Sequence, residues 1–141
     1  MAAPGRVMAV DYGEKRIGLA LSDPTRTIAS PAGHLERRAG KRPPVAELVR
    51  RAAAHEVRAF VLGLPLDENG EETPRSAEVR AVAAELEKRT GFPVSLVDER
   101  YTTAAALRTV RTLGGSTRGR KGDVDALAAA ILLQHALNVH E

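Results

Sequence analysis

The sequence predicts an α/β protein in which a mixed five-stranded sheet carries helices on both faces. Three observations predict it. Two short apolar runs, Val7-Met8-Ala9-Val10-Asp11 and Ile17-Gly18-Leu19-Ala20-Leu21, flank Tyr12-Gly13-Glu14-Lys15 and read as a β-hairpin. Two later apolar runs, Ala59 to Gly63 and Val94 to Val97, alternate with helical patterns, and that order demands crossovers that lay the later strands parallel. At 141 residues the chain has room for one real core, so residues 1–141 are expected to form one domain.

Each element has its own local signal. After the hairpin, a weaker third strand near Thr27 to His34 is interrupted by Pro31 and Gly33. Pro43 and Pro44 sit where first-turn prolines belong, and Val45, Leu48, Val49 and Ala52 follow at helical spacing. Ala59-Phe60-Val61-Leu62-Gly63 is wholly apolar, as expected of a strand covered on both faces. Thr73 caps a helix with Pro74 at its first position and Val79, Val82, Ala83 and Leu86 on its buried side, closing at Gly91 with Pro93 beyond. Val94 to Asp98 is the last strand. Two helices are expected to finish the chain, from about Thr103 to Leu113 and from about Val124 to Asn138. The last has Asp123 as its N-cap and Leu127, Ala128, Ile131 and Leu132 facing inward.

Composition removes several function classes. No apolar run approaches the roughly 20 residues of a membrane span. The chain contains no cysteine, and Met-Ala-Ala-Pro-Gly lacks the apolar core of a signal peptide, so a cytoplasmic location is expected. The four histidines show no ligand spacing, and no serine stands in a nucleophile-elbow context. With no Trp and two each of Phe and Tyr, a base-stacking platform is poorly supplied. From Arg100 through Lys121, six basic residues occur without an acid, a stretch suited to a polyanion bound through its backbone. A solvated helix face and loop would account for the same charges. Asp67 to Glu72 holds four acids, which would repel such a backbone. The loop from Gly63 to Glu72, with its Asn-Gly turn, is the expected moving part.

Most acids fall on helix exteriors or loops, where solvation explains them. Asp11, Glu99 and Asp125 do not. Asp11 ends the first apolar strand, Glu99 follows the last, and Asp125 opens a helix that is otherwise Ala and Leu. Ends of adjacent strands meet at one rim of a sheet, which the first turn of a packed helix can reach. Carboxylates gathered there repel one another unless a cation holds them, and oxygen donors without His or Cys favour Mg²⁺ or Mn²⁺. Two such ions about 3.5–4 Å apart serve in-line attack at phosphorus, which points to phosphodiester hydrolysis. The competing reading has Asp11 closing a turn, Glu99 paired with Arg100 or Arg108, and Asp125 binding helix-end amides. Asp98 is an alternative to Glu99, since neighbouring strand residues face opposite ways. The pattern Asp11-x-Gly13-x-x-x-x-Gly18 also opens actin-like ATPases and sugar kinases, but those close two lobes around a nucleotide and this length holds one.

Four ordered motifs, spanning nearly the whole chain, closely resemble the YqgF/RuvX family. They are Asp11-Tyr12-Gly13-Glu14-Lys15-Arg16-Ile17-Gly18 with Ser22-Asp23; Gly63-Leu64-Pro65-Leu66 followed by Asn69-Gly70; Asp98-Glu99-Arg100-Tyr101-Thr102-Thr103; and Lys121-Gly122-Asp123-Val124-Asp125-Ala126-Leu127-Ala128-Ala129. Tyr101 stands where that family often has an aliphatic residue. The family is described as Holliday-junction-resolvase-like proteins or pre-16S rRNA nucleases with an RNase H-like fold. The resemblance implies a metal-dependent nuclease acting on structured RNA or branched DNA, with the acidic triad carried over to Asp11, Glu99 and Asp125. In the two-metal reading those three hold Mg²⁺ or Mn²⁺, and Arg16, Arg100, Arg118, Arg120 and Lys121 hold phosphates beside the scissile bond. No membrane partner is expected; a monomer is preferred, and a homodimer would suit a resolvase cutting two symmetric strands. The reading from another class is a non-catalytic RNA-binding or ribosome-assembly factor, which keeps the basic stretch and needs no acids.

Overall fold

The computed structural model describes residues 5–13, 15–37, 42–101 and 121–139. The expected hairpin is formed by β1 (Arg6–Tyr12) and β2 (Arg16–Ser22), antiparallel, with Asp11 opposite Gly18. β3 (Ala29–Glu36) adds antiparallel to β2, starting and ending two residues later than its sequence signal. It lies at one edge of the sheet, where Pro31 and a Gly33 at φ 85° are tolerated because one side of the strand has no ladder to complete. There follow α1 (Val45–Ala54), β4 (Val57–Leu64), α2 (Pro74–Thr90), β5 (Val94–Asp98), a 3-10 turn over Glu99–Tyr101 and α3 (Lys121–Val139). The sheet order is β3-β2-β1-β4-β5, with β1, β4 and β5 mutually parallel. The helix expected from Thr103 to Leu113 lies outside the described residues.

Alternation along the strands sorts the core into two layers. Met8, Val10 and Tyr12 of β1 point to one face and pack with Ile17, Leu19, Phe60 and Leu62 beneath α1 and α2. Val7 and Ala9 point to the other face, where Ala20 and Val61 meet Ala128, Ala129, Leu132 and Leu133 of α3. Both helices of the first layer form where expected, but Pro43 and Pro44 precede the first turn of α1 instead of opening it, Pro44 standing at its N-cap. Val45, Leu48 and Ala52 are the buried stripe of α1. The Thr73 side chain accepts from the Ser76 amide, the Ser76 hydroxyl accepts from the Thr73 amide, and Gly91 closes α2 at φ 76°.

The start of α3 differs from expectation in two respects. Lys121 and Gly122 already belong to the helix, so Asp123 lies inside it instead of capping it. Leu127, expected inside, is 44% exposed, and the sheet is met by Ala126, Ala128, Ala129 and Ala130 with Leu132 and Leu133. Small side chains on that face bring the helix axis close to the strands. No described helix is long and apolar enough to cross a membrane.

Candidate active site

Asp11, Glu99 and Asp125 are three of the five polar or charged residues that are buried among those described, at 1%, 4% and 1% exposure. Their arrangement follows from sheet register. Asp11 shares the α3 face with Val7 and Ala9, four and two residues before it on β1. Its antiparallel partner is Gly18, and Gly63 lies on its other side, one step beyond the Val10–Leu62 pair. The acid is thus flanked in its row by two glycines, each of which gives up side-chain space to one of the other acids. A Cβ on Gly18 would stand 2.0 Å from the Asp125 carbonyl oxygen, and one on Gly63 would stand 2.4 Å from Glu99 Oε1. Asp125 therefore closes over one shoulder of Asp11 and Glu99 over the other. Both carboxylate oxygens of Asp11, and Oε1 of Glu99, are buried.

Burial makes the charge expensive and the site consequential. A carboxylate withdrawn from water among like charges is stable only with a compensating positive charge or donors. One such charge is present: Arg16 Nε lies 2.9 Å from Asp125 Oδ2, with the side chains 15% and 2% exposed. The donor set is all hard oxygen, which suits Mg²⁺ or Mn²⁺. Among the described residues, however, no three of the His, Cys, Asp and Glu side chains converge closely enough to hold one ion. The residue types and their burial fit a divalent cation; the present orientation of Asp125, toward Arg16, does not complete its shell.

The other expected site residues fall around this centre. Of the pair Asp98 and Glu99, Glu99 is the buried one. Asp98 receives the Arg100 guanidinium as a fork, Nε at 3.1 Å and Nη2 at 2.8 Å, and the hydrogen bonds from Arg100 hold its carboxyl below the usual range. Arg100 also reaches the Glu68 carbonyl at 3.4 Å and lies against Gly70, so it props the acidic loop on the end of β5. That loop is braced throughout. Thr73 Oγ1 donates to the Pro65 carbonyl at its neck, and Asp67 Oδ1 accepts from the Asn69 and Glu71 amides. These contacts fasten the neck and the tip of the loop that the sequence marks as the moving part. Arg118 and Arg120 lie outside the described residues, and Lys121 is placed only as the first residue of α3.

Glu72 shows how pH acts on the same loop. The Arg80 guanidinium, and then the Ser76 hydroxyl, bring its carboxyl down from 4.5 to about 2. A carboxyl lowered in the folded state stabilises fully above its unfolded value and loses that contribution as pH falls through the folded one. The melting difference between the native chain and Glu72→Gln is expected to be present at pH 6, to shrink below about pH 4.5 and to vanish near pH 2. Melting curves across that range check it.

Sequence reasoning missed a second cationic feature at the same rim, on the opposite face of the sheet. Arg37 lies over the Tyr12 ring at 4.3 Å from its centroid and donates to Glu78 at 2.7 Å and to the Gly13 carbonyl at 2.8 Å. The Tyr12 hydroxyl also donates to Glu78, and burial pushes its pKa up to about 12. Beside this cluster is an open cleft of about 490 Å³, lined by Arg37, Arg75 and Glu78 with Pro65, Thr73 and Pro74. In the sequence Arg37 stands in a charged loop-like run, and nothing local marks it as a partner of Tyr12.

Comparison with known proteins agrees with this architecture. A family model described as RuvX, Holliday junction resolvase, matches residues 5–139. A protein of Roseiflexus sp. (strain RS-1) named "Putative pre-16S rRNA nuclease" is 41% identical over 135 residues, covering 96% of this chain and 95% of that protein. One of the same name from Maridesulfovibrio salexigens is 39% identical over 129 residues, covering 92% and 95%. Among solved structures, Thermus thermophilus RuvC superposes with a TM-score of 0.59 at 15% identity, covering 96% of this chain and 95% of that one. The same enzyme in complex with a Holliday junction substrate gives 0.56 at 16%. At such identities the likeness is one of fold, the RNase H-like mixed sheet.

Proposed function

The chain belongs to the RuvX family of Holliday junction resolvases and is a phosphodiester-hydrolysing nuclease; from that premise we propose that Asp11, Glu99 and Asp125 are its catalytic carboxylates. The observation that supports the reading is the row Gly18–Asp11–Gly63, in which two missing side chains leave room for the backbone of Asp125 on one side of Asp11 and for the side chain of Glu99 on the other. Residues 1–141 act as one nuclease domain, as a monomer, in the cytoplasm. Precursor 16S rRNA is the proposed first substrate, after the names of the relatives at about 40% identity. Branched DNA is the second, after the family description.

The three carboxylates would hold two Mg²⁺ or Mn²⁺ ions, which activate an attacking water and neutralise charge on the leaving oxygen. Asp11, central in the row, would hold them together with Glu99 and Asp125. The protein's own part is to fix these side chains on rigid elements: Asp11 on the central strand, Glu99 on the turn after β5, and Asp125 on a helix seated against Gly18. Arg16, Arg100, Arg118, Arg120 and Lys121 are the proposed phosphate contacts.

The test is an assay of the purified protein with Mn²⁺ on precursor 16S rRNA, unpaired RNA and four-way junction DNA, beside Asp11→Asn. Mn²⁺-dependent cleavage, strongest on the precursor and absent in the variant, is expected. Tight binding without cleavage of any substrate would overturn the reading in favour of a ribosome-assembly factor.

A further inference from the structure

We infer that Arg16 is an exchangeable counter-ion: its guanidinium holds the Asp125 carboxylate until a divalent cation enters, and the entering ion frees it to take a substrate phosphate. This rests on the metal-dependent nuclease reading above and adds the step by which the site assembles.

Four features carry it. Asp125 belongs to the acid set, yet among the described residues no three acids converge on one ion, and its Oδ2 faces Arg16 at 2.9 Å. The backbone of Asp125 is seated on Gly18, two residues along β2 from Arg16 on the same face, so completing the shell calls for a side-chain rotation and no movement of the helix. The pair is made through Nε alone. The fork between Arg100 and Asp98, by contrast, uses two nitrogens and both oxygens, and a one-point pair exchanges more readily. Finally, a guanidinium keeps its charge at any accessible pH. The lock therefore answers to a competing cation, not to a proton, and Arg16, the more exposed partner, is the one that can turn outward.

Metal and nucleic acid would then bind cooperatively. The ion removes the partner of Arg16 and leaves an uncompensated guanidinium beside the reacting phosphodiester, where a phosphate is its natural replacement. A purely structural Arg16, tying the start of α3 to β2, would keep its contact whatever the metal content.

The experiment follows the Arg16 Nε–H resonance in the unaltered ¹⁵N-labelled chain during Mg²⁺ titration, and measures Mn²⁺ affinity by electron paramagnetic resonance for that chain and Arg16→Gln. The expected result is an Nε–H signal that moves toward the position of an unpaired arginine as the site fills. Arg16→Gln, relieved of a charge-assisted competitor, should bind Mn²⁺ about tenfold more tightly. A resonance unmoved at saturating Mg²⁺, or a variant affinity equal to or weaker than that of the native chain, overturns the inference and leaves the nuclease reading standing. Absence of Mn²⁺ binding in both proteins overturns the metal-dependent reading as well. Because the resonance is read in the native chain, misfolding of the variant cannot obscure the outcome.

Discussion

Asp11→Asn is expected to lower cleavage by on the order of a thousandfold or more while leaving the protein as stable as before, or more so. The two halves of that result have one cause. Asp11 sits on the central strand with both oxygens buried, between the glycines that admit Glu99 and Asp125. Asparagine matches it in shape, so β1 and its register are preserved. What disappears is a negative charge withdrawn from water and set beside two others, which costs stability in the absence of a cation. Asp125→Asn separates the roles. It also ends catalysis, but it weakens the 2.9 Å ion pair with Arg16, so its melting temperature should fall where that of Asp11→Asn does not. Thermal melts without divalent ions, set beside initial rates with Mn²⁺, test both. If Asp11→Asn loses several degrees and keeps its activity, Asp11 is a structural acid and the catalytic assignment is wrong.

The acids were legible in the sequence because each broke a pattern. Asp11 ends an apolar strand, Glu99 follows another, and Asp125 opens a run of Ala and Leu; the structure buries all three. The frame around them was legible for similar reasons. Thr73 with Pro74 opens α2 and Gly91 closes it, and these signals act within one turn of chain. The errors lie where local signals are degenerate. From Ala126 to Leu133 every residue of α3 is apolar, so helical period selects no face, and Leu127 turns out to solvent. Asp123 satisfies the preference for an acid at a helix start equally as cap or as first-turn residue, so it could not fix where the helix begins. The contact of Asp125 with Arg16 was not legible, because the two are 109 residues apart in sequence. The same holds for Arg37 over Tyr12, a contact made when β3 returns beside β2.

The two glycines beside Asp11 should respond differently to the same added methyl group. In Gly18→Ala the new carbon would lie 2.0 Å from the carbonyl oxygen of Asp125 and 2.4 Å from its carbonyl carbon, both backbone atoms of a packed helix. Relief requires α3 to lift from the sheet, and α3 supplies the layer formed by Ala128, Ala129, Leu132 and Leu133. Overpacking of this kind costs about 1–3 kcal/mol, which for a chain of this size lowers the melting temperature by roughly 5 °C or more. Activity should be lost with it, since Asp125 moves with the helix. In Gly63→Ala the clash is with Oε1, Cδ and Cγ of Glu99, at 2.4, 2.7 and 2.8 Å, the movable part of a long side chain. Glu99 can rotate away, and alanine recovers about 0.5–1 kcal/mol of chain entropy that glycine loses in a strand. Gly63→Ala should therefore melt within a degree or two of the native protein yet cleave at least about a hundredfold more slowly, because the displaced carboxylate has left the row. Melting curves and initial rates on the same preparations separate the two substitutions. A Gly63→Ala protein with full activity would mean that Glu99 need not stand beside Asp11, and the three-carboxylate mechanism would lose its third member.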